Sequence, residues 1–140
     1  MSVYADSSFL LSLYLRDSHT SDALRRMAQH PRIWLTSFHE AEFAHAVAQQ
    51  VFRGQISEDE AKRTSQKIEE NRYAWILSPF PDGAFLGAAQ LARAHVARLG
   101  TRTLDSLHVA AALELRAEKF WTFDERQAKL AKAAGLKVSQ

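Results

Sequence analysis

The sequence lacks cysteine, any long hydrophobic run and a large net charge. Without cysteine there can be no disulfide scaffold, thiol nucleophile, iron–sulfur cluster or thiolate zinc site, and the composition suits a reducing compartment. No apolar run approaches the roughly 18 residues that a membrane helix needs, so we expect no membrane span. The N-terminus lacks the basic-then-apolar order of a signal peptide, and we therefore expect a cytoplasmic protein.

Length and composition favour one folded unit. The 140 residues predict a single domain, residues 1–140, and the 46% hydrophobic content argues against a disordered chain. The formal net charge of +2 hides 18 Lys and Arg residues, of which 12 are Arg. Because the planar guanidinium group suits phosphate, this composition is compatible with a nucleic-acid partner, although it does not establish one.

Short apolar runs alternate with segments of helical periodicity along the chain. Strands are predicted at residues 2–5, 33–36, 73–77 and 120–123, with a possible fifth at 136–138. Apolar spacing and capping residues predict helices at about residues 9–14, 21–29, 41–53, 57–71, 82–99, 103–116 and 124–134. This alternation implies crossover connections and hence an α/β fold, a three-layer α/β/α sandwich with a mainly parallel central sheet of four to five short strands.

Some side chains have predicted places in this fold. Thr103 is expected to cap the helix that runs through Arg116. The buried stripe of that helix is predicted to consist of Leu104, Leu107, Ala111 and Leu115. Three residues that fall in predicted strands are expected in the core or on a sheet face rather than in base stacking: Trp34, Trp75 and Trp121.

Acidic residues follow two of the predicted strands. In parallel sheets the active site lies beyond the carboxyl ends of the strands. Asp6 ends the first strand, and Asp124 lies two residues after Thr122 at the end of the fourth. An aspartate between a strand and a helix is also a favoured N-cap worth about 1 kcal/mol, so either residue alone has an equally good structural explanation.

Two further acidic positions stand out from their surroundings. Asp105 lies near the start of an otherwise apolar helix, where a buried carboxylate needs a partner, a metal ion or a raised pKa. An interaction with the helix dipole offers another explanation. Glu40 and Glu42 are two residues apart and face different sides of their helix, so only one can point toward the strand ends. Helical position alone does not choose between them.

Several carboxylates in one cleft, without cysteine, favour a hard cation such as Mg²⁺ or Mn²⁺ over zinc. A cation of this kind binds phosphate oxygens and activates water, which indicates hydrolysis of phosphodiester bonds.

Two other families with strand-end aspartates fit the chain less well. A response-regulator receiver needs an aspartate after its third strand, where this chain has Ser78. A haloacid-dehalogenase-type phosphatase needs a second aspartate two residues after Asp6, where this chain has Ser8.

Four segments resemble, in order and spacing, the motifs of PIN-domain ribonucleases, particularly the VapC-type toxins of bacterial toxin–antitoxin pairs. They are residues 4–10 (YADSSFL), 36–43 (TSFHEAEF), 104–112 (LDSLHVAAA) and 121–127 (WTFDERQ). One such motif would be weak support, but four in order, on elements predicted independently, are strong support. The resemblance spans nearly the whole chain.

The resemblance implies an acidic quartet that binds divalent metal and activates water for RNA cleavage, namely Asp6, Glu42, Asp105 and Asp124. It selects Glu42 over Glu40, because the family glutamate follows the threonine–serine strand end by a short helical lead. Ser7 and Thr122 match small hydroxyl positions that hydrogen-bond near the site in the family. The fourth acidic position is the least uniform in the family, and members also vary at the positions of His108 and Glu114.

The resemblance further implies a Mg²⁺- or Mn²⁺-dependent endoribonuclease whose products carry 5′-phosphate and 3′-hydroxyl groups. Its implied partners are an RNA substrate, a VapB-like antitoxin that covers the acidic cleft, and a second copy of the chain in a homodimer. A catalytically inactive PIN-like scaffold that binds RNA or a protein partner remains the alternative. His45, three residues after Glu42, is either a neighbour of the site or a surface residue.

Overall fold

The central sheet has four parallel strands in the order β3-β2-β1-β4. The structure is a computed structural model and describes residues 1–138. The strands are β1 (Ser2–Ala5), β2 (Arg32–Thr36), β3 (Trp75–Ser78) and β4 (Lys119–Trp121). The predicted α/β class and the parallel sheet are therefore confirmed.

Helices cover both faces of this sheet. Their bounds are α1 (Ser7–Tyr14), α2 (Thr20–Met27), α3 (Ser37–Phe52), α4 (Glu58–Glu70), α5 (Gly83–Leu91), α6 (Ala97–Leu99), α7 (Thr103–Glu114) and α8 (Glu125–Ala133). Successive residues of β1 point to opposite faces, so Val3 and Ala5 join one hydrophobic cluster while Tyr4 joins the other. Two cores on opposite faces make the predicted three-layer sandwich.

The strand predictions needed three adjustments. β3 begins at Trp75 rather than Tyr73, because residues Arg72–Ala74 form a turn of 3₁₀ helix before it. β4 ends at Trp121, where the chain turns into the segment that caps α8. At 136–138, within the residues described, the possible fifth strand is reduced to one parallel bridge between Phe120 and Val138.

The alanine-rich helix predicted at 82–99 is not uniform. It comprises α5, a π-helical segment at Ala92–Val96, and α6, and it ends at Gly100 with a positive φ of 69°. The π segment has no counterpart in the prediction, because apolar spacing does not distinguish one inserted residue from regular helix. No helix among residues 1–138 combines the length and apolarity that crossing a membrane requires.

The predicted stripe on α7 was wrong at Leu104, whereas Leu107, Ala111 and Leu115 all contribute to the second hydrophobic cluster. Leu104 is 45% exposed, Leu107 and Leu115 are only partly buried, and Ala111 alone of the four is fully buried. Thr103 is the first helical residue rather than the cap. The buried side of α7 instead consists of Asp105, Ser106, His108, Val109, Ala110, Ala111 and Ala112. Short side chains let α7 lie close against α5, and polar residues occupy the part that faces the strand ends.

The three tryptophans lie where the sequence placed them. Trp75 and Trp121 are buried in the core, and Trp34 is partly buried against the second cluster. The prediction that they belong to the core or a sheet face is confirmed.

The strand order creates a crevice at one edge of the sheet. The chain passes from β1 to β2 and β3 on one side, then returns to place β4 on the other side of β1. Connections from β1 and β4 therefore diverge above their carboxyl ends, which is where ligands bind in sheets of this kind. Asp6 follows β1 and Thr122 follows β4, so both lie at this point.

The close packing of α5 on α7 generates a stability prediction. A Cβ atom placed on Gly87 would lie 3.3 Å from Cβ of Ala110, which is itself 2% exposed. Ala110→Leu should lower the free energy of unfolding by about 1–3 kcal/mol, because the added atoms have no space without separating the helices. Urea denaturation measures this change. Ala48→Leu, on the exposed side of α3, is the matched control and should change stability by less than about 0.5 kcal/mol.

Candidate active site at the carboxyl edge of the sheet

Asp6 is the most enclosed of the predicted acidic residues. It is 4% exposed and caps α1, its Oδ1 accepting hydrogen bonds from the Phe9 amide at 3.0 Å and the Ser8 hydroxyl at 2.7 Å. Its Oδ2 accepts from the Thr122 hydroxyl at 2.6 Å. The structural role foreseen for Asp6 as a helix cap is therefore present, and the carboxylate has a further contact that a cap does not need.

Burial raises the pKa of Asp6 above its ordinary value. The hydrogen bonds from Thr122, Ser8 and Phe9, together with the nearby His108, lower this pKa but do not offset the burial. Ionised Asp6 is therefore an unfavourable buried charge in the protein alone, and a cation beside it would stabilise it.

Glu42 lies on the second turn of α3, on the side that faces α1 and α7. Its side chain is 21% exposed, whereas Glu40 is exposed on the surface of the same helix. Oε1 of Glu42 accepts a hydrogen bond from the Ser7 hydroxyl at 2.7 Å and also contacts Nε2 of His108. The structure thus directs Glu42, not Glu40, toward the strand ends.

The pKa of Glu42 is lowered, in contrast to that of Asp6. Burial alone would raise this pKa, but the hydrogen bond and charge of His108, with the Ser7 hydroxyl, together outweigh the burial. Two neighbouring carboxyls consequently have opposite shifts, and Glu42 is the one that the protein itself keeps ionised.

Asp105 and Asp124 line a common cleft of about 490 Å³. Asp105, which is buried, accepts at Oδ2 from the backbone N–H of Arg102 at 3.0 Å and from its guanidinium Nε at 3.4 Å. Asp124 caps α8 by accepting from the Gln127 amide at 3.0 Å. Arg102 and Arg126 lie in the lining of the same cleft, so cations flank the two carboxylates.

Thr122 connects the two sides of the site. Its hydroxyl donates to Asp6 and accepts from the backbone N–H of Asp124 at 3.0 Å. Ser7, the neighbour of Asp6 in sequence, donates to Glu42 on the opposite side. The two hydroxyl residues named by the resemblance therefore connect three of the four acidic residues. Asp105 shares the cleft with Asp124, and its backbone carbonyl accepts from the Gln127 side chain at 3.4 Å.

The acidic residues offer the oxygen ligands that a hard divalent cation prefers, but their side chains do not converge tightly on one point. Among residues 1–138, no three His, Asp or Glu side chains are arranged as a group that could hold a metal ion. One oxygen of Asp105 and one of Asp124 accept no hydrogen bond from the described part of the chain. Mg²⁺ commonly uses only one or two carboxylates and fills its other positions with water, so the chemistry of this donor set is compatible with Mg²⁺.

His39 joins the ends of β1 and β2 beneath the site. Its Nε2 donates to the carbonyl oxygen of Ala5 at 2.7 Å, and its Nδ1 accepts from the Thr36 amide at 3.1 Å. Burial, with the neighbouring charge of His108, lowers the pKa of His39 to about 3. The ring is therefore neutral near pH 7 and its two nitrogens keep fixed roles as donor and acceptor.

Sequence reasoning assigned no role to His39, His108 or Tyr4 at this site. His108 is buried, and its Nδ1 lies 2.7 Å from the hydroxyl of Tyr4, while its Nε2 contacts Glu42. One feature of the sequence could have indicated a role for His108. It lies three residues after Asp105, so both residues are on one face of a helix that is otherwise rich in alanine. His45, by contrast, is exposed and lies on the surface.

Comparison with solved structures shows this fold in VapBC, VapC and FitAcB structures. A VapBC structure from Rickettsia felis, bound to a promoter DNA fragment, matches with a TM-score of 0.69 and 14% identity, covering 99% of this chain and 98% of that one. A VapC toxin of Mycobacterium tuberculosis that cleaves the sarcin–ricin loop matches with a TM-score of 0.69 and 16% identity, covering 96% and 95%. The FitAcB structure from Neisseria gonorrhoeae gives 0.70 and 14%, covering 99% and 96%.

Sequence comparison gives the family. A search among curated proteins returned no match. The family model of the PIN domain matches residues 3–133, which include all four of the predicted acidic residues. Since this match spans nearly the whole chain, the protein belongs to the PIN domain family.

Proposed function

We propose that this protein is a Mg²⁺- or Mn²⁺-dependent endoribonuclease and the toxin of a VapBC-type toxin–antitoxin pair. Membership of the PIN domain family and a fold shared with VapC toxins support the proposal. The observation that carries it is the buried carboxylate of Asp6 at the edge of the sheet, connected through Thr122 to the cleft of Asp105 and Asp124.

Each acidic residue has a separate part in this proposal. In this proposal the cation is held by three carboxylates. That of Asp6 lies in the crevice above the carboxyl ends of β1 and β4, and those of Asp105 and Asp124 line the cleft beside it. When bound, a divalent cation supplies a water of lowered pKa and neutralises charge on the phosphate. Glu42, which the protein keeps ionised, orients the cation or accepts a hydrogen bond from the attacking water.

The arginines of the cleft are proposed to bind the RNA backbone. Arg102 and Arg126 lie beside Asp105 and Asp124 in the lining of one cleft. A phosphate drawn toward these guanidinium groups is placed next to the carboxylates, and a divalent cation between them would reduce the repulsion between phosphate and carboxylates. This arrangement suits a phosphodiester substrate and carries no information about base sequence.

The proposed protein partners are a VapB-like antitoxin and a second copy of the chain. The solved structures of this fold include VapBC complexes. Exposed apolar side chains on α2 and α5, namely Leu24, Phe85 and Leu86, supply surface for such contacts.

One observation favours the alternative of a non-catalytic RNA-binding scaffold. Asp105 is engaged by Arg102 and Glu42 by His108, and no group of three potential ligands stands ready for metal within residues 1–138. A scaffold of this kind would bind RNA at the arginine-flanked cleft without cutting it. Metal-dependent cleavage therefore separates the two functions.

Replacing Asp6 is the direct test of the nuclease. Asp6→Asn should reduce Mn²⁺-dependent cleavage of an RNA panel by at least about 100-fold, because it removes the buried negative charge that holds the cation. Asparagine remains a good N-cap, so α1 and the fold should persist by circular dichroism. Asp59→Asn, in the exposed first turn of α4, is the control and should cleave like the wild type.

Two results would contradict the nuclease proposal. Full activity of Asp6→Asn would exclude the proposed role of this carboxylate. Tight RNA binding by the wild type without any cleavage in Mg²⁺ or Mn²⁺ would favour the scaffold.

The raised pKa of Asp6 predicts a pH-dependent stability in metal-free protein. A carboxyl whose pKa is higher in the folded state destabilises that state as pH rises from about 3.9, its ordinary value, through the raised pKa. In EDTA, Asp6→Asn should therefore melt at a higher temperature than the wild type at pH 7.5, and this difference should shrink as pH falls. Added Mn²⁺ should stabilise the wild type but not the variant. Equal stabilisation of both proteins would place the cation elsewhere.

Arg126 provides a test of RNA binding that does not require turnover. In the Asp6→Asn background, Arg126→Gln should weaken RNA binding for all sequences and reduce the slope of log Kd against log salt by about one. Arg53→Gln is the control, because α3 runs away from the sheet edge and Arg53 lies just beyond its far end. Equal losses in the two variants would indicate diffuse attraction rather than a cleft contact.

A further inference from the structure

A buried histidine stands directly behind Glu42. His108, on α7, is 3% exposed, and its Nε2 contacts Oε1 of Glu42 on α3. On the other side of the ring, Nδ1 lies 2.7 Å from the hydroxyl of Tyr4 on β1. Three elements of the fold therefore meet at one imidazole.

Hydrogen-bond accounting gives this contact a direction. Ionised Glu42 can only accept, so Nε2 of His108 carries the proton and donates it to Oε1. The other ring nitrogen, Nδ1, faces the Tyr4 hydroxyl, which can either donate to it or accept from it. Tyr4, His108 and Glu42 are thus connected in that order, and Ser7 is a second donor to Oε1 of Glu42.

The ring of His108 has little freedom to turn. Phe38 stacks on it at 4.5 Å between ring centroids, and the ring of His39 lies 5.2 Å away. Tyr4 is fully buried and stacks on Phe120, so the hydroxyl that contacts Nδ1 is fixed as well. Since imidazole and phenol are both held, the proton on Nε2 points in one direction.

The same arrangement leaves one oxygen of Glu42 available. Ser7 and His108 both contact Oε1. Among the residues described, none donates a hydrogen bond to Oε2. Two donors on one oxygen thus set the rotation of the carboxylate and leave the other oxygen for a ligand.

We infer that His108, oriented by Tyr4, is a positioning residue that fixes Glu42 for the divalent cation or its water. The inference rests on the proposed nuclease function and adds to it a residue outside the acidic quartet. Packing alone does not require histidine here, because the four residues that follow it, 109–112, are valine and alanines. An apolar replacement would leave the Tyr4 hydroxyl without its partner and Glu42 with Ser7 as its one donor among the residues described.

Two substitutions at one position separate positioning from packing. His108→Leu fills the site but donates nothing, whereas His108→Gln retains an N–H at the reach of Nε2. His108→Leu should weaken Mn²⁺ binding to the metal-free protein about tenfold by calorimetry, and RNA cleavage by about 10–100-fold. His108→Gln should restore both to within about threefold of the wild type, because the amide can donate to Oε1.

Further variants keep the test decisive if His108→Leu does not fold. Tyr4→Phe removes only the hydroxyl and should weaken Mn²⁺ binding by about two- to fivefold, since the imidazole then loses its orientation. In the His108→Gln background the same change should have no further effect, because glutamine has no atom at the position of the imidazole Nδ1 for the Tyr4 hydroxyl to contact. Ser106→Ala is the control and should bind Mn²⁺ like the wild type, because Ser106 lies on the same helix and its hydroxyl has no hydrogen-bond partner within residues 1–138.

The outcomes distinguish this inference from the function on which it rests. If the wild type binds Mn²⁺ and cleaves RNA while folded His108→Leu does both equally well, the positioning role is wrong and the nuclease stands. If Gln and Leu at position 108 are equally impaired, the role of His108 is one of shape, and the inference is overturned. If the wild type neither binds Mn²⁺ nor cleaves RNA, the proposed function fails and the inference fails with it.

Discussion

The enclosure of one carboxylate, that of Asp6, is the constraint on which the site depends. The chain order that puts β2 and β4 on opposite sides of β1 also puts Asp6 where their connections diverge. Burial there opposes ionisation, and hydrogen bonds from Thr122 and the start of α1 offset it only in part. The surrounding protein therefore stabilises the negative charge of this side chain only in part.

The other acidic residues have surroundings of two kinds, and the candidate site therefore has two parts. Glu42 has protein donors on one oxygen and is kept ionised without metal. Asp105 pairs with Arg102 at the mouth of a cleft that Asp124 and Arg126 also line. One part is a preorganised hydrogen-bond network under the surface, and the other is an open, charged surface suited to a polyanion. Asp6 lies between them and belongs to both.

Much of this arrangement could be predicted from local sequence rules. An apolar run followed by an aspartate predicts a strand end, and β1 with Asp6 was found as expected. The interior of α7 could not be predicted in this way, because burial on a helix between a sheet and α5 depends on tertiary neighbours rather than on apolar spacing. For the same reason Leu104 was expected inside and is exposed, while His108 is buried. Its partners Tyr4 and Glu42 lie 104 and 66 residues away in sequence, beyond the reach of any local pattern.

The histidine that joins β1 and β2 has a consequence for behaviour in acid. A free imidazole takes up a proton below about pH 6.5, whereas His39 in the folded protein does so only near pH 3. Between these values the unfolded chain binds a proton that the folded chain refuses, so acidification favours unfolding through His39. The hydrogen bonds of His39 with Thr36 on β2 and Ala5 on β1 keep their donor and acceptor throughout this pH range. Acid should therefore inactivate the protein by cooperative unfolding of the whole domain. The carboxyl edge of the sheet, where the acidic residues lie, should not unfold first.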